Sequence, residues 1–398
     1  MKVKILVVGA GVIGLSVAKS LLEYNSNITI YIVDKEDSVG KHASGRNSGV
    51  IHAGFYYSPD SLKARFCREG NASLKQLCKD YKIPIKEVGK VVVARTTEEV
   101  SHLEALFQRG IANGVNLSLL PASELVKYEP LARTLESFIW SPTTAVSNPQ
   151  LVLAALLNSV KSLGANVLLG AQLSFHKDST LVSINGENIE FKHIINTAGS
   201  QADRIAHDFG FGKNLSMIPF MGIYRAVNHA QLPLSTLVYP VPDPLNPFLG
   251  VHLTSTVNGK VKIGPTAIPL LNREQYRFNE GWSAKDFATS ASGLMAMLRG
   301  DKHNLPKLAL TELPKIFLKR LIRDAATLVP NVGQIEGWER LSPGIRSQLI
   351  DLKSGVLVND FLIEGDEKST HVLNAVSPGW TAAIPFGQYI ATRVVAQI

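Results

Sequence analysis

The chain is poor in cysteine, with only Cys67 and Cys78 among 398 residues. Two thiols on what the pattern makes one helix face build no disulfide framework. They read as small buried apolar side chains in a reducing compartment. Long apolar runs are also missing, none reaching the ~18–20 residues that a bilayer span requires. The apolar start is interrupted by glycines and reads as a strand, not as a leader. No repeat or low-complexity tract is present. No basic run is interleaved with aromatics, which sets nucleic acid aside despite a formal charge of +8 and a pI near 9.3. No Cys/His or carboxylate cluster has metal-ligand spacing, so metal-free chemistry is expected. The chain is 45% hydrophobic, enough for a sizeable core, its 398 residues suggest two to three domain-sized units, and a cytoplasmic location is expected.

What is present begins at once. The apolar run Lys4–Val8 leads into Gly9-Ala10-Gly11-Val12-Ile13-Gly14, then into Ile13, Val17, Leu21 and Leu22 at helical spacing. A second apolar run, Ile28–Val33, ends on Asp34 and Lys35. Strand, glycine turn, helix and acid in this order suit the ADP half of a dinucleotide. Gly9 makes the tight turn, Gly11 admits the pyrophosphate, and Gly14 lets helix and strand pack. Asp34 accepts from the ribose hydroxyls.

Two further runs carry similar signals. Phe191–Asn196 leads into Thr197-Ala198-Gly199, and His371–Asn374 into Ser377-Pro378-Gly379-Trp380-Thr381 with an apolar helix through Ile390. Between them Val91–Ala94, Met221–Val227, Phe248–Thr254 and Lys260–Gly264 read as strands. Asn258-Gly259 marks a hairpin joining the last pair. The simplest architecture is therefore discontinuous. Residues 1–84, 148–216 and 330–398 are expected to form the nucleotide-binding domain, with 85–147 and 217–329 as a substrate domain. Lys315, Lys319, Arg320 and Arg323 lie within Leu313–Leu328, where an amphipathic basic helix is expected. A solvated outer face is the preferred reading of that helix, and peripheral contact with the inner face of a membrane the other.

Residues 42–57, HASGRNSGVIHAGFYY, follow the second strand directly. Small residues here let backbone pass close to a flat ring system, with Ser44, Arg46, Asn47 and Ser48 as polar contacts. The stretch Ser44–Ala64 closely resembles the L-2-hydroxyglutarate dehydrogenases and oxidases, within the D-amino-acid oxidase-like group of FAD enzymes. Gly89–Ala94, Pro247–Thr254, Gly264-Pro265 and Pro343–Gln348 are similar to family motifs too, so the resemblance spans essentially the whole chain. One departure is Ser377–Thr381, where a Ser-Pro-Ala-Ala-Thr-like turn is expected and Gly379-Trp380 stands instead. That version is more like the wider amino-acid-oxidase group.

The resemblance implies an α/β fold, a Rossmann-like FAD-binding domain with an inserted antiparallel-sheet substrate domain. It also implies oxidation of L-2-hydroxyglutarate to 2-oxoglutarate by hydride transfer to flavin N5, with oxygen or a quinone as electron acceptor. Cofactor contacts fall on Gly9, Gly11, Gly14, Asp34, Lys35, Ser44, Arg46, Asn47, Ser48, Ala198, Gly199, Gly379, Trp380 and Thr381. His52 is favoured as the base for the hydroxyl proton and His252 as a substrate contact. Arg346, after a Pro-Gly turn, suits the α-carboxylate, against the plainer reading of a surface ion pair. Lys63, Lys90 and Arg46 are candidates for the distal carboxylate, and Tyr224 and Tyr56 for closing the pocket or donating a hydroxyl. Noncovalent FAD is expected, with His42 and the cysteines as the alternative attachment sites. An amine oxidase on the same fold, a glycerol-3-phosphate dehydrogenase and a non-catalytic flavoprotein are the competing readings.

Overall fold

The computed structural model describes residues 3–176, 179–243, 246, 248–277, 280–300 and 305–397, so Pro247 lies outside the described residues. Lys4–Val8 sits inside a six-stranded sheet, parallel to Thr29–Asp34 on one side and to His193–Asn196 on the other. Asn166–Leu169 and Ser369–Val372 extend the sheet in parallel, and Ile363–Gly365 closes one edge antiparallel. A strand covered on both faces must be apolar throughout, and Ile5, Leu6 and Val7 are fully buried. Helix Val12–Tyr24 packs Val17 and Leu21 into a core shared with helix Leu62–Asp80 and the last helix, Gly379–Val395. Cys67 and Cys78 are both free and buried on Leu62–Asp80. The three glycine-turn regions of the sequence thus meet at one sheet.

The second sheet has eight strands. In order they are Glu339–Arg340, Arg225–Asn228, Lys260–Gly264, His252–Ser255, Leu237–Pro240, Lys90–Val93, Ser137–Ser141 and Ser118–Pro121. Neighbours are antiparallel except Leu237–Pro240 and Lys90–Val93, which run parallel where the two inserted pieces of chain meet. Side chains alternate between the faces of a sheet. Val91, Val93, Val238, Leu253 and Val261 point one way, under Leu321 and Ala325 of helix Leu318–Ala326. Lys90, Val92, Leu237, Tyr239 and His252 share the other face, which packs on Val50, Ala53 and Phe55 of the loop after the second parallel strand.

Three sequence expectations need adjusting. Met221–Val227 is not one strand. Leu215–Gly222 and Arg225–Asn228 lie in different sheets, because the Ile223 N–H turns aside to Thr266 Oγ1 (3.0 Å). Residues after 330 do not all join the parallel sheet. Gly344–Asp351 pairs along its whole length with Leu215–Gly222, and Glu339–Arg340 with Arg225 and Ala226. The basic segment is a 3-10 turn, Leu313–Ile316, followed by helix Leu318–Ala326, and Lys315 bridges Glu312 and Asp324. The Asn258-Gly259 turn does join His252–Ser255 to Lys260–Gly264, with Gly259 at φ +73°.

A buried ion pair fastens the units together. Arg273 is almost wholly buried, and its Nη2 donates to Asp203 Oδ2 (2.7 Å) on helix Ala202–Asp208 while Nη1 donates to the Ser200 carbonyl (2.7 Å). Asp203 Oδ2 also accepts the Met217 N–H at 3.0 Å. Removing one partner strands the other charge in the interior. Arg273→Ala is therefore expected to destabilise by about 3–5 kcal/mol, read as a lower urea midpoint of the holoprotein. A midpoint equal to the parent's would mean that the pair holds nothing together.

Candidate active site

The glycine turn leaves no room for side chains. Gly9 has φ +100°, and a Cβ there would stand 2.7 Å from the Thr197 carbonyl oxygen; one on Gly14 would stand 2.0 Å from the Gly9 oxygen. Asp34 ends its strand with Oδ2 accepting the Ala10 N–H (2.8 Å) and Oδ1 the Glu36 N–H (2.9 Å). Ser44 Oγ accepts the Val12 N–H at 3.0 Å, which brings the loop to the first helix's N-terminus. Asn47 braces that loop, donating to the Ser44 carbonyl (2.7 Å) and accepting the Gly49 N–H (2.8 Å), while Ser48 Oγ accepts from Val50 N–H (3.4 Å). Ala198 N–H is held by Asn196 Oδ1 (3.2 Å). A Cβ on Gly199 or Gly379 would meet nothing within 4 Å, so both turns border open space. Beside the second turn, Trp380 Nε1 is buried without a partner among the described residues. A glycine cradle, an acid at a strand end and an orphaned indole N–H suit a dinucleotide with a fused-ring head.

Two expected contacts fall elsewhere. Lys35 is engaged by Glu36 and by Glu274 (2.9 Å), beside His42. Glu36, His42 and Glu274 lie close enough to hold a metal ion, but the Lys35 ammonium already bonds to all three. His42 is further tied to the Tyr276 hydroxyl (2.9 Å). Arg46 stacks 4.1 Å from the centre of the Tyr276 ring and donates to the Pro343 carbonyl (3.3 Å), bracing the loop against the Pro343-Gly344 turn.

His52 is held by its own backbone. Its N–H donates to Thr381 Oγ1 (3.1 Å) on the last helix, and its carbonyl accepts from Asn71 Nδ2 (3.1 Å) on helix Leu62–Asp80. Its ring stands edge-on to Tyr239, centroids 6.4 Å apart, and Tyr239 stacks on His252 at 3.9 Å. Gly264 is the register partner of His252, and Tyr224 packs against Gly264. Arg346 lies beside Tyr224 and donates to the Thr266 carbonyl (3.3 Å). Lys90 is wholly buried, its Nζ 4.5–4.7 Å from the ring centres of Phe55, Tyr56 and Tyr239. Lys63 sits apart, 5.8 Å from the Phe361 ring and near Asp360.

The electrostatics favour neutral imidazoles. Burial, then Lys90 and His252, hold His52 well below the ordinary histidine range. Burial also takes His252 down to about 3, with Arg346 and Lys90 adding to the effect, although its bond to the Gly250 carbonyl opposes it. That bond, 2.8 Å from Nδ1, places the His252 proton on Nδ1 and leaves Nε2 as an acceptor. Burial lowers Lys90 to about 7 and raises the Tyr224 phenol. His52, His252, Tyr224 and Arg346 therefore do come together. Tyr239 and Asn71, which join them, carry no sequence signal beyond an aromatic in a strand and an amide in a helix.

A glycine cradle on a parallel sheet, with one buried histidine on the loop that follows it and a second on the other sheet, suits a nucleotide-dependent oxidoreductase. Residues 4–393 match the FAD dependent oxidoreductase family, and the chain belongs to it. L-2-hydroxyglutarate dehydrogenase of Escherichia coli (strain K12) is 33% identical over 409 residues, 98% of this chain and 92% of that one. The mitochondrial L-2-hydroxyglutarate dehydrogenase of Homo sapiens is also 33% identical, over 98% of this chain and 88% of its own. Among solved structures, dithionite-reduced L-α-glycerophosphate oxidase from Mycoplasma pneumoniae with FAD bound has a TM-score of 0.73 at 25% identity, covering 99% of this chain and 94% of that one. Glycine oxidase from Geobacillus kaustophilus shares the fold at a TM-score of 0.73 and 19% identity, covering 98% and 94%. FAD is the cofactor. A Cβ on Gly11 would stand 3.0 Å from Ser44 Oγ, so the methyls of valine would crowd the start of the first helix. Gly11→Val is expected to purify with less than about a tenth of the parent's flavin absorbance. Parental flavin content would show that the pyrophosphate does not pass over Gly11.

Proposed function

We propose that the chain oxidises L-2-hydroxyglutarate, or a closely related L-2-hydroxy acid, to the 2-oxo acid. The observation that carries this reading is the composition of the buried cluster, two neutral imidazoles with the basic groups Lys90 and Arg346 near enough to act on them. The relatives' activity points the same way. Bound FAD supplies the two-electron acceptor. In the proposed reaction Arg346 grips the α-carboxylate, with the protonated Tyr224 phenol beside it. His52, which rides on the last helix through Thr381, takes the hydroxyl proton as the C–O double bond forms. His252 forms the wall on which the substrate lies, fixed flat against Tyr239. The cluster is buried between the eight-stranded sheet and the loop of His52, which keeps bulk water from the reacting carbon.

The reading is tested by anaerobic bleaching of the flavin with L-2-hydroxyglutarate, its D-enantiomer, L-glycerol 3-phosphate, glycine and sarcosine. Rapid bleaching by the L-hydroxy acid alone is expected. Bleaching by an amine instead would sink the reading and assign the chain to amine oxidation. His52→Ala is expected to slow bleaching by about 10²–10⁴-fold. If His52→Ala bleaches at the parental rate while His252→Ala does not, the two histidines exchange roles. Protonation silences the base, so the acid limb of kcat/KM is expected below pH 6.5, activity falling as the pH drops through the depressed His52 value.

The electron acceptor in this reading is oxygen or a quinone, and a quinone would be met at a membrane surface. Among the described residues no helix is long and apolar enough to cross a membrane. Peripheral contact is supported by exposed Leu310, Ile316 and Phe317 beside exposed Lys319, Arg320 and Arg323. Reversing those three charges to Glu is expected to weaken sedimentation with vesicles containing anionic lipid at least about tenfold. Unchanged sedimentation would remove the membrane from the proposal.

A further inference from the structure

We infer that Lys90, Tyr56 and Tyr239 form a subsite for the distal carboxylate of the substrate and set the preference for a dicarboxylate. The hydroxy-acid reading above supplies the molecule that brings this anion; the subsite itself stands on the geometry of the box. Lys90 opens its strand, and alternation sends its side chain to the face covered by the loop of His52. The rings of Phe55, Tyr56 and Tyr239 surround Nζ, yet ring faces do not satisfy an ammonium's three N–H donors. Nζ has no hydrogen-bond partner among the described residues. Cys67 is close enough to act on it, but burial pushes that thiol up to about 12, so it offers no counter-charge.

Two more buried polar atoms of the same cluster lack partners, Tyr56 OH and His52 Nδ1. The Tyr239 phenol lies beside the Thr254 hydroxyl, which lowers its pKa against the upward effect of burial. Unpaired buried polar groups are uncommon and costly. Three in one cluster call for a polar ligand, and the charge of that ligand follows from the donors. Burial keeps both phenols protonated, and a carboxylate bound here would raise Lys90 from about 7, so an amine and two hydroxyls all have hydrogens to give. They fit an acceptor with negative charge. Lys90 Nζ lies 4.7 Å from the centre of the Tyr239 ring, which stacks 3.9 Å from His252, and Arg346 acts on both of those rings. A molecule with one carboxylate at Arg346 sends its other end to the box.

The test uses the holoenzyme and ligands that cannot be oxidised. Glutarate and butyrate differ by one carboxylate, and each is titrated against the flavin absorbance of the parent, Lys90→Met and Tyr56→Phe. The parent is expected to prefer glutarate at least about 30-fold, and Lys90→Met to bring the preference within about threefold. Tyr56→Phe, which removes one hydroxyl and keeps the ring, is expected to reduce it by about three- to tenfold. An undiminished preference in Lys90→Met overturns the subsite; if that variant loses its flavin, an undiminished preference in Tyr56→Phe does so instead. A parent that cannot tell glutarate from butyrate overturns it outright. A parent that prefers glutarate but is bleached only by an amine keeps the subsite and loses the hydroxy-acid reading.

Discussion

The hydrogen bond from the His52 N–H to Thr381 Oγ1 joins residues 329 positions apart, and much of the site depends on it. The loop around His52 carries no helix and only the two-residue strand Val50–Ile51, so its shape comes from what grips it. Thr381 takes it from the last helix. Asn71 takes it from helix Leu62–Asp80, donating also to the Thr143 carbonyl (3.0 Å). The two helices approach closely enough that a Cβ on Gly70 would lie 2.1 Å from the Thr381 carbonyl. The backbone of His52 is thus held from both sides, by Thr381 at its N–H and by Asn71 at its carbonyl.

Two buried cations show how structure and function divide. Arg273 and Lys90 are both almost wholly inaccessible. Arg273 meets Asp203 and the Ser200 carbonyl, so its burial is balanced by ionic and neutral hydrogen bonds. Lys90 meets only rings. An unpaired basic group in the interior costs stability, and Lys90 bears that cost where Arg273 does not.

The sequence shows what is local and hides what is not. Gly9, Gly11, Gly14 and Asp34 are legible because turn, helix start and strand end are neighbours in the chain. His52, His252 and Arg346 are legible as members of motifs, yet they lie on a loop, on the eight-stranded sheet and on the sheet of Leu215–Gly222, and no spacing announces that these meet. Lys35 and Arg46 look like cofactor contacts because they stand beside the right residues. Their partners Glu274 and Tyr276 come from far along the chain and turn them to bracing. Tyr239 reads as one more apolar residue of a short strand. The division expected near 330 fails to foresee Glu339–Arg340, a two-residue exposed polar strand with no pattern to detect.

Placing the first strand inside its sheet has a consequence during synthesis. Lys4–Val8 finds Thr29–Asp34 soon after both leave the ribosome, but its other edge waits for His193–Asn196. For that interval an apolar strand presents an unpaired edge, the kind of surface that chaperones cover and that aggregation exploits. The helix carrying Thr381 emerges later still, after every strand of both sheets. A nascent chain can therefore assemble most of its architecture and still be unable to fix the loop of His52. A polypeptide broken off before that helix would lack Thr381, and with it the bond that closes the loop onto the rest of the fold.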